Sequence, residues 1–107
     1  MADYLGEFEQ MVLLAVLRLG EGAYGLRIGD EIENVAERRP SSGALYTTLD
    51  RLESKGYLRS ALEQRSSQRA GRPRRYFSLT PLALHALQRS RRALMRLWSG
   101  HAKALDG

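Results

Sequence analysis

The stretch SSGALYTTLDRLESKGYLRS, residues 41–60, decides the fold of this 107-residue chain because its hydrophobic period changes within it. Its first part has apolar residues at helical spacing, namely Leu45, Leu49 and Leu52. Either of its first two residues, Ser41 or Ser42, can cap the N-terminus of such a helix. Gly56 favours a turn that ends the helix near Lys55, and the residues after it alternate with the period of a strand. The stretch therefore predicts a helix followed directly by a strand.

A second strand follows a polar loop. The loop from Gln64 to Pro73 is rich in residues that break regular structure, and strand character returns from Arg75 to Leu79. Two strands this close in sequence are expected to pair as an antiparallel hairpin. We predict that their inward side chains meet across the pair, Leu58 and Leu62 on one strand and Phe77 and Leu79 on the other.

Two helices are predicted before this segment. The first begins near Leu5 and ends before a pair of glycines, and its apolar residues follow the spacing of one helical face. The second runs from about Tyr24 to Glu37, because Pro40 cannot continue a helix and biases the residue before it away from helical angles. Two glycines of this helix suit close packing against a neighbouring helix. Its predicted inner face carries Gly25, Ile28, Ile32 and Val35.

A long helix is predicted at the end of the chain, over residues 81–105. Thr80 suits its N-cap and Pro81 its first turn. At 1.5 Å per residue it would be about 37 Å long, which is more than a small core can cover. Its distal half is therefore expected to pack on a second copy of the chain and form a homodimer. The predicted interface follows a mostly apolar, heptad-like seam made of Leu84, Leu87, Leu94, Trp98, His101 and Leu105.

This order of elements predicts a mainly α fold with a small β-hairpin. Two helices joined by a tight turn form a helix-turn-helix, and the hairpin after them makes it a winged helix-turn-helix. We divide the chain into a DNA-binding domain, residues 1–80, and a C-terminal dimerisation helix, residues 81–107. The two are expected to form one structural unit.

The charge of the chain is distributed unevenly. The formal net charge is +5, but residues 38–76 hold ten basic and three acidic residues, a net charge of +7, whereas residues 1–37 have a net charge of −6. A compact basic block attracts polyanions and speeds their capture, which favours double-stranded DNA as the partner. The alternative is a solvated basic face without a partner.

Several classes of protein are disfavoured. The chain has no cysteine, which excludes disulfides and thiolate metal sites and predicts a cytoplasmic location. No apolar run approaches the roughly 18 residues that a membrane span needs, and the acidic N-terminus does not resemble a signal peptide. His85 and His101 have no ligand-forming neighbours at metal-binding spacing. We find no catalytic constellation and no cofactor motif, and therefore predict that the protein is not an enzyme and binds no cofactor or metal.

The candidate DNA-binding residues lie on the third predicted helix, in the turn before it and in the hairpin. A recognition helix enters the major groove, so small residues on its outer face allow close approach. Threonines can bind a base or a phosphate, and hairpin arginines can meet the flanking backbone or the minor groove. The predicted contacts are Arg38, Arg39, Ser41, Ser42, Gly43, Ala44, Tyr46, Thr47, Thr48, Arg51, Arg69, Arg72, Arg74 and Arg75.

Three segments taken together resemble the short form of the PadR family of bacterial transcriptional regulators. They are LGEFEQMVLLAVLRLGEGAYGLRIGDEIE (5–33), SSGALYTTLDRLESKGYLRS (41–60) and GRPRRYFSLTPLALHAL (71–87). The chain departs from the family pattern at Leu82, where the family usually has a glycine. The resemblance implies a homodimeric winged helix-turn-helix repressor, whose third helix reads an inverted repeat and whose C-terminal helix dimerises.

The resemblance also suggests roles for two aromatic residues, each with an alternative. Tyr46 is expected to donate a hydrogen bond to a phosphate; the alternative is a partly buried ring that packs beside Leu49. Some relatives stack flat aromatic effectors between their subunits, which suggests a small aromatic effector in contact with Trp98. The alternative is that Trp98 anchors the dimer, since large aromatic residues often dominate interfaces.

Three functions are therefore compared. The first is a sequence-specific repressor, relieved by a small molecule or another signal. The second is a winged-helix module for protein–protein interaction, whose basic face meets an acidic partner. The third is non-specific coating of DNA. Binding to promoter DNA and to scrambled DNA distinguishes the three functions.

Overall fold

The structure is a computed structural model that describes residues 4–64 and 73–105. The order of its elements confirms the predicted mainly α fold with one antiparallel hairpin. The helices are α1 (Glu7–Leu19), α2 (Gly25–Ala36), α3 (Ser42–Ser54) and α4 (Pro81–Trp98), the strands are β1 (Leu58–Leu62) and β2 (Arg75–Leu79), and two short 3₁₀ turns span Gly20–Gly22 and Ala102–Leu105.

Helix α1 lies at the centre of the core and contacts α2, α3 and β2. Val12 and Leu13 are completely buried, and Val16 nearly so, because neighbouring elements cover α1 on more than one side. Its first turn is closed by Glu9, whose Oε1 accepts a hydrogen bond of 2.8 Å from the backbone N–H of Gly6. The capping carboxylate is itself almost fully buried. This makes α1 the rigid support on which the other elements are positioned.

Helix α2 ends one residue before the predicted end. Glu37 adopts a left-handed conformation with φ of 58°, and its N–H donates to the carbonyl of Glu33 at 3.0 Å. The inner face carries Ile28 and Ile32 as predicted, together with both glycines. Val35 was expected on that face, but this prediction is wrong: its side chain is exposed and lines a shallow apolar pocket on the surface.

Helix α3 begins and packs as its sequence predicts. Ser41 is the N-cap, and its Oγ accepts a hydrogen bond of 3.1 Å from the N–H of Ala44. The predicted apolar face is buried and consists of Leu45, Leu49 and Leu52. Helix α3 thereby packs against α1 and α2, and its opposite face is exposed to solvent.

The hairpin β1–β2, here called the wing, is joined to the helical core at its root. Leu58 pairs with Leu79, and Ser60 pairs with Phe77. The N–H of Phe77 also donates to the carbonyl of Ala23 at 2.8 Å, which fastens β2 to the turn before α2. The prediction that Leu62 faces inward is wrong. It pairs with Arg75 and is exposed, because β1 runs away from the core after Leu58.

Helix α4 is shorter than predicted. Thr80 caps it as expected, with Oγ1 accepting from the N–H of Ala83 at 3.3 Å. The helix ends at Trp98 rather than at residue 105, because Gly100 adopts a φ of 83° and reverses the chain. Its 18 residues span about 27 Å. Every residue from 91 to 100 is exposed, so the second half of α4 has little cover from its own chain.

Candidate nucleic-acid interface

The outer face of α3 is open and made of small or polar residues. Ser42, Gly43 and Ala44 in the first turn are exposed, and so is Thr47 in the second. A Cβ added to Gly43 would meet no other atom within 4 Å. Such a face lets the backbone of the helix approach another surface closely, as a helix in a major groove about 12 Å wide must do.

Thr48 does not belong to this face, and its prediction as a DNA contact is wrong. Its side chain is only 5% exposed. At 100° per residue it lies on the inner side of the helix, close in angle to Leu52. Thr47 is therefore the one threonine of the pair that faces outward.

Tyr46 lies at the edge of the outer face, half exposed. Its phenol ring rests on Gly25 at the start of α2, and an ideal Cβ at Gly25 would lie 2.6 Å from Cζ of the ring. The ring therefore packs across the helix-turn-helix. This contact holds it at the boundary between α3 and solvent, where its hydroxyl has no hydrogen bond within the described part of the chain.

The two arginines of the turn before α3 are held by acidic residues. Nη1 of Arg39 donates to Oδ1 of Asp30 at 2.7 Å and to Oε1 of Glu33 at 3.0 Å. The hydrogen bond to Asp30 and the neighbouring charges raise the pKa of Arg39 above its ordinary value. Arg38 similarly donates to Oε1 of Glu7 at 3.1 Å. Both guanidinium groups are exposed, but a phosphate would have to compete with these carboxylates for them.

Arg51 is drawn toward the buried carboxylate of α1. Oε2 of Glu9 lies 4.0 Å from Nη1 of Arg51 and 3.7 Å from Nζ of Lys55. The guanidinium remains half exposed, so it can still reach beyond the protein surface. Sequence reasoning missed Glu9 as a residue that orients α3. Its place three residues after Gly6 is a helix-capping signal, but its contacts with α3 depend on the tertiary fold.

The loop-side end of β2 presents arginines on an aromatic support. The guanidinium of Arg74 lies over the ring of Tyr24, with Cζ 4.1 Å from the ring centroid, and Tyr24 meets Tyr76 edge to face at 5.6 Å. Nη1 of Arg75 lies 3.9 Å from Oε1 of Glu53 on α3. The other predicted wing contacts, Arg69 and Arg72, lie outside the described residues.

A cleft of about 350 Å³ separates α3 from the wing. Tyr46 and Asp50 of α3 line it together with Arg74 and Arg75 of the wing, so three of the predicted contacts border one space. Its lining residues are Tyr24, Gly25, Tyr46, Asp50, Pro73, Arg74, Arg75 and Phe77.

The side chains of α4 that are predicted to form the dimer interface are partly exposed. The exposed fractions of Leu84, Leu94 and Trp98 are 41%, 48% and 38%. Together with Leu87 they line an apolar groove of about 530 Å³ against α1, which exposes Leu14 and Leu17 there. His101 is exposed, and the side chain of Leu105 lies outside the described part.

The described residues form neither a metal-binding cluster nor a membrane-spanning helix. Among residues 4–64 and 73–105, no group of three or more His, Asp or Glu side chains could hold a metal ion. No helix in these ranges is long and apolar enough to cross a membrane.

Comparison with known proteins gives consistent results. The model of the transcriptional regulator PadR-like family matches residues 13–89. A PadR family regulator from Eggerthella lenta is 28% identical, with a TM-score of 0.69 over 92% of this chain and 86% of that one. A PadR family regulator from Clostridium difficile has 21% identity and a TM-score of 0.72, over 92% of this chain and 98% of that one. A PadR-like regulator from Bacillus cereus has 20% identity and a TM-score of 0.72, over 94% and 92%. The last two show the fold alone. No curated protein matches significantly.

Proposed function

Because the chain belongs to the PadR-like family of DNA-binding transcriptional regulators, we propose that it acts as a homodimeric repressor of transcription. In this proposal α3 of each copy reads one half of an inverted-repeat operator, and the wing holds the flanking backbone. The observation that carries the proposal is the open, small-residue face of α3 beside Arg74 and Arg75 of the wing. The family is one of regulators, and the proposal includes no catalysis.

In this proposal the outer face of α3 recognises the bases of the operator. Thr47 is exposed at the middle of the outer face, where its hydroxyl can bond a base edge and its methyl group can meet the methyl of thymine. Gly43 and Ala44 add no bulk between the helix backbone and the groove. Arg51, one turn after Thr47, is assigned a phosphate or a guanine edge.

Affinity for the phosphate backbone is assigned to the groups around this face. The N-terminus of α3 offers backbone N–H groups near Ser41 and Ser42, and the hydroxyl of Tyr46 is free to donate. Arg74 and Arg75 contribute positive charge from the wing. Arg38 and Arg39 contribute less, because each already binds a carboxylate of its own chain.

Dimerisation is assigned to α4. The uncovered second half of the helix and the apolar groove beside α1 are large for a chain of this size to leave in water. In the proposal residues 1–80 form the DNA-binding domain and α4 with the tail to residue 107 joins two of them. Two copies related by a two-fold axis would present two recognition helices to one operator.

A small flat aromatic molecule is the proposed signal that relieves repression. Trp98 is 38% exposed and borders the groove between α1 and α4, close to Leu94 and Met95. An aromatic ligand that stacks on Trp98 there would change how two copies pack, and hence the spacing of their recognition helices. Trp98 as a plain anchor of the dimer is the competing assignment.

The decisive experiment is selection of bound duplexes from a random DNA pool at physiological salt, where electrostatic binding alone does not dominate. The proposal predicts enrichment of an inverted repeat. In follow-up titrations, Arg74→Ala should weaken binding to every sequence and reduce the salt slope by about 1. Equal binding to selected and scrambled DNA would indicate non-specific coating. Absence of any shift on duplex DNA at low salt would contradict DNA binding and favour the protein-interaction module.

A further inference from the structure

Asp50 places a negative charge in the middle of the surface that is proposed to meet DNA. On a wheel of 100° per residue it lies within about 20° of Gly43, on the side of α3 that faces away from the buried leucines. Its side chain is exposed and lines the cleft between α3 and the wing. Asp50 thus belongs to the outer face, one turn after Tyr46 and Thr47 and between them in angle.

The carboxylate of Asp50 is unengaged, whereas other carboxylates around it are used. Within the described residues Asp50 has no hydrogen bond and no ion pair. Glu53 accepts from the hydroxyl of Ser60 at 2.6 Å and lies 3.9 Å from Arg75. Glu9 caps α1 and attracts two cations of α3. Asp50 therefore has no evident role in holding the fold together.

A carboxylate at this position disfavours most DNA partners. It repels phosphates, and it cannot donate a hydrogen bond to guanine N7 or O6 or to thymine O4. The major groove offers it donors only at the amino groups of adenine and cytosine. Adenine also presents the acceptor N7 beside its amino group, which repels a carboxylate, whereas cytosine presents N4–H₂ without an adjacent acceptor on the same base. Cytosine is the base whose edge fits an unpartnered carboxylate best.

We propose that Asp50 is a specificity-determining residue that selects a cytosine in each half of the operator by accepting a hydrogen bond from its N4 amino group. The same charge penalises other bases and phosphates at that place, so it increases discrimination at the expense of general affinity. This inference rests on the proposed sequence-specific DNA binding. It assigns one base and one atom to a residue whose charge is opposite to that of its DNA-facing neighbours.

The test compares wild type, Asp50→Asn and Glu21→Gln in parallel selections from one random DNA pool. Asp50→Asn keeps the size of the side chain but removes the charge, and asparagine can pair with adenine N6 and N7. Glu21→Gln is the control, because it removes one charge from an exposed carboxylate outside α3 that likewise has no partner in the described residues. Circular dichroism checks that all three proteins fold.

We expect wild type and Glu21→Gln to select DNA with a cytosine at one position of each half-site. Asp50→Asn should lose the preference for cytosine at that position and keep the base preferences at the other positions. Replacing that base pair in the operator should weaken wild type about tenfold and Asp50→Asn less than twofold. An unchanged motif for Asp50→Asn, even with uniformly tighter binding, would overturn the inference and leave the proposed function standing. A wild type that enriches no motif would overturn both.

Discussion

The phenol ring of Tyr46 on α3 lies directly on Gly25 of α2, so closely that an ideal Cβ on Gly25 would be 2.6 Å from Cζ of the ring and 2.8 Å from Cε1. Real Cβ atoms do not approach other atoms to such distances. The two helices of the helix-turn-helix can therefore meet at this point only because residue 25 has no side chain. The contact also sets the position of a residue that is proposed to bind phosphate.

Replacing Gly25 with alanine should force the ring of Tyr46 away from α2. We expect Gly25→Ala to lower the free energy of unfolding by about 1 kcal/mol, because overpacking at this contact outweighs the better helix propensity of alanine. Gly29→Ala is the matched control, since its Cβ would meet Leu45 Cδ2 at an ordinary 3.5 Å. It should be neutral or stabilising by up to about 1 kcal/mol. Urea unfolding measures both, and equal destabilisation by the two changes would contradict the assignment.

Thr47 and Thr48 should differ in their effects on DNA binding although they are adjacent and identical. Thr47 is exposed on the outer face and Thr48 is buried. We expect Thr47→Val to weaken binding to the selected operator about threefold to tenfold through loss of one hydrogen bond. Thr48→Val should change that affinity less than twofold. Titration of labelled operator provides the measurement, and a larger loss for Thr48→Val would reverse the assignment of the two faces.

Local signals in the sequence account for most of the fold. The change of period at Gly56 predicts the boundary between α3 and β1, and the Thr80-Pro81 pair predicts the start of α4; both are confirmed. These signals succeed because capping and backbone restriction act within a few residues. The end of α4 was mispredicted since a glycine near a helix end is compatible with either continuation or reversal, and Gly100 reverses the chain.

The candidate site was less predictable because its geometry depends on contacts between distant residues. The stacking of Arg74 over Tyr24 joins residues 50 positions apart, and no periodicity indicates it. The ion pairs of Arg39 with α2 were also missed, since charge totals do not specify which carboxylate a guanidinium meets. Thr48 is a different case: at 100° per residue it lies near Leu52, so the helical period by itself predicts that it is buried.

Thr80 should be important for stability because one hydroxyl joins three segments. Its Oγ1 donates to the carbonyl of Gly56 at 2.6 Å, lies 3.2 Å from that of Tyr57, and accepts from the N–H of Ala83. Thr80→Val would remove the hydroxyl that the carbonyl of Gly56 accepts from and the side-chain cap of α4, and we expect it to lower the free energy of unfolding by about 2 kcal/mol. Thr80→Ser retains the hydroxyl and should cost less than half as much. Equal losses for both in urea unfolding would contradict a dominant role of the hydroxyl, because Thr80→Ser retains it.

Glu9 should stabilise the protein in two separable ways. Glu9→Gln keeps an acceptor for the N–H of Gly6 but loses the attraction of the carboxylate to Arg51 and Lys55. Because both cations are partly exposed, we expect this loss to lower the free energy of unfolding by about 1 kcal/mol. Because salt screens the attraction between charges, this difference from wild type should shrink in 1 M NaCl. Glu9→Ala also removes the cap and should cost about 1 kcal/mol more at either salt concentration. Denaturant unfolding at both concentrations separates the two contributions, and a salt-independent loss for Glu9→Gln would contradict the electrostatic one.

Leu94 should control assembly if the exposed seam of α4 joins two copies. We expect the wild type to sediment as a dimer at micromolar concentration, and Leu94→Asp to sediment as a monomer, since a charge in an apolar interface cannot be paired there. Leu62→Asp is the control, because Leu62 is also exposed but lies on the wing. Trp98, the only tryptophan, gives a second readout: its emission should shift to the red in Leu94→Asp and not in Leu62→Asp. A Leu94→Asp protein that remains a dimer with unchanged emission would place the interface elsewhere on the chain.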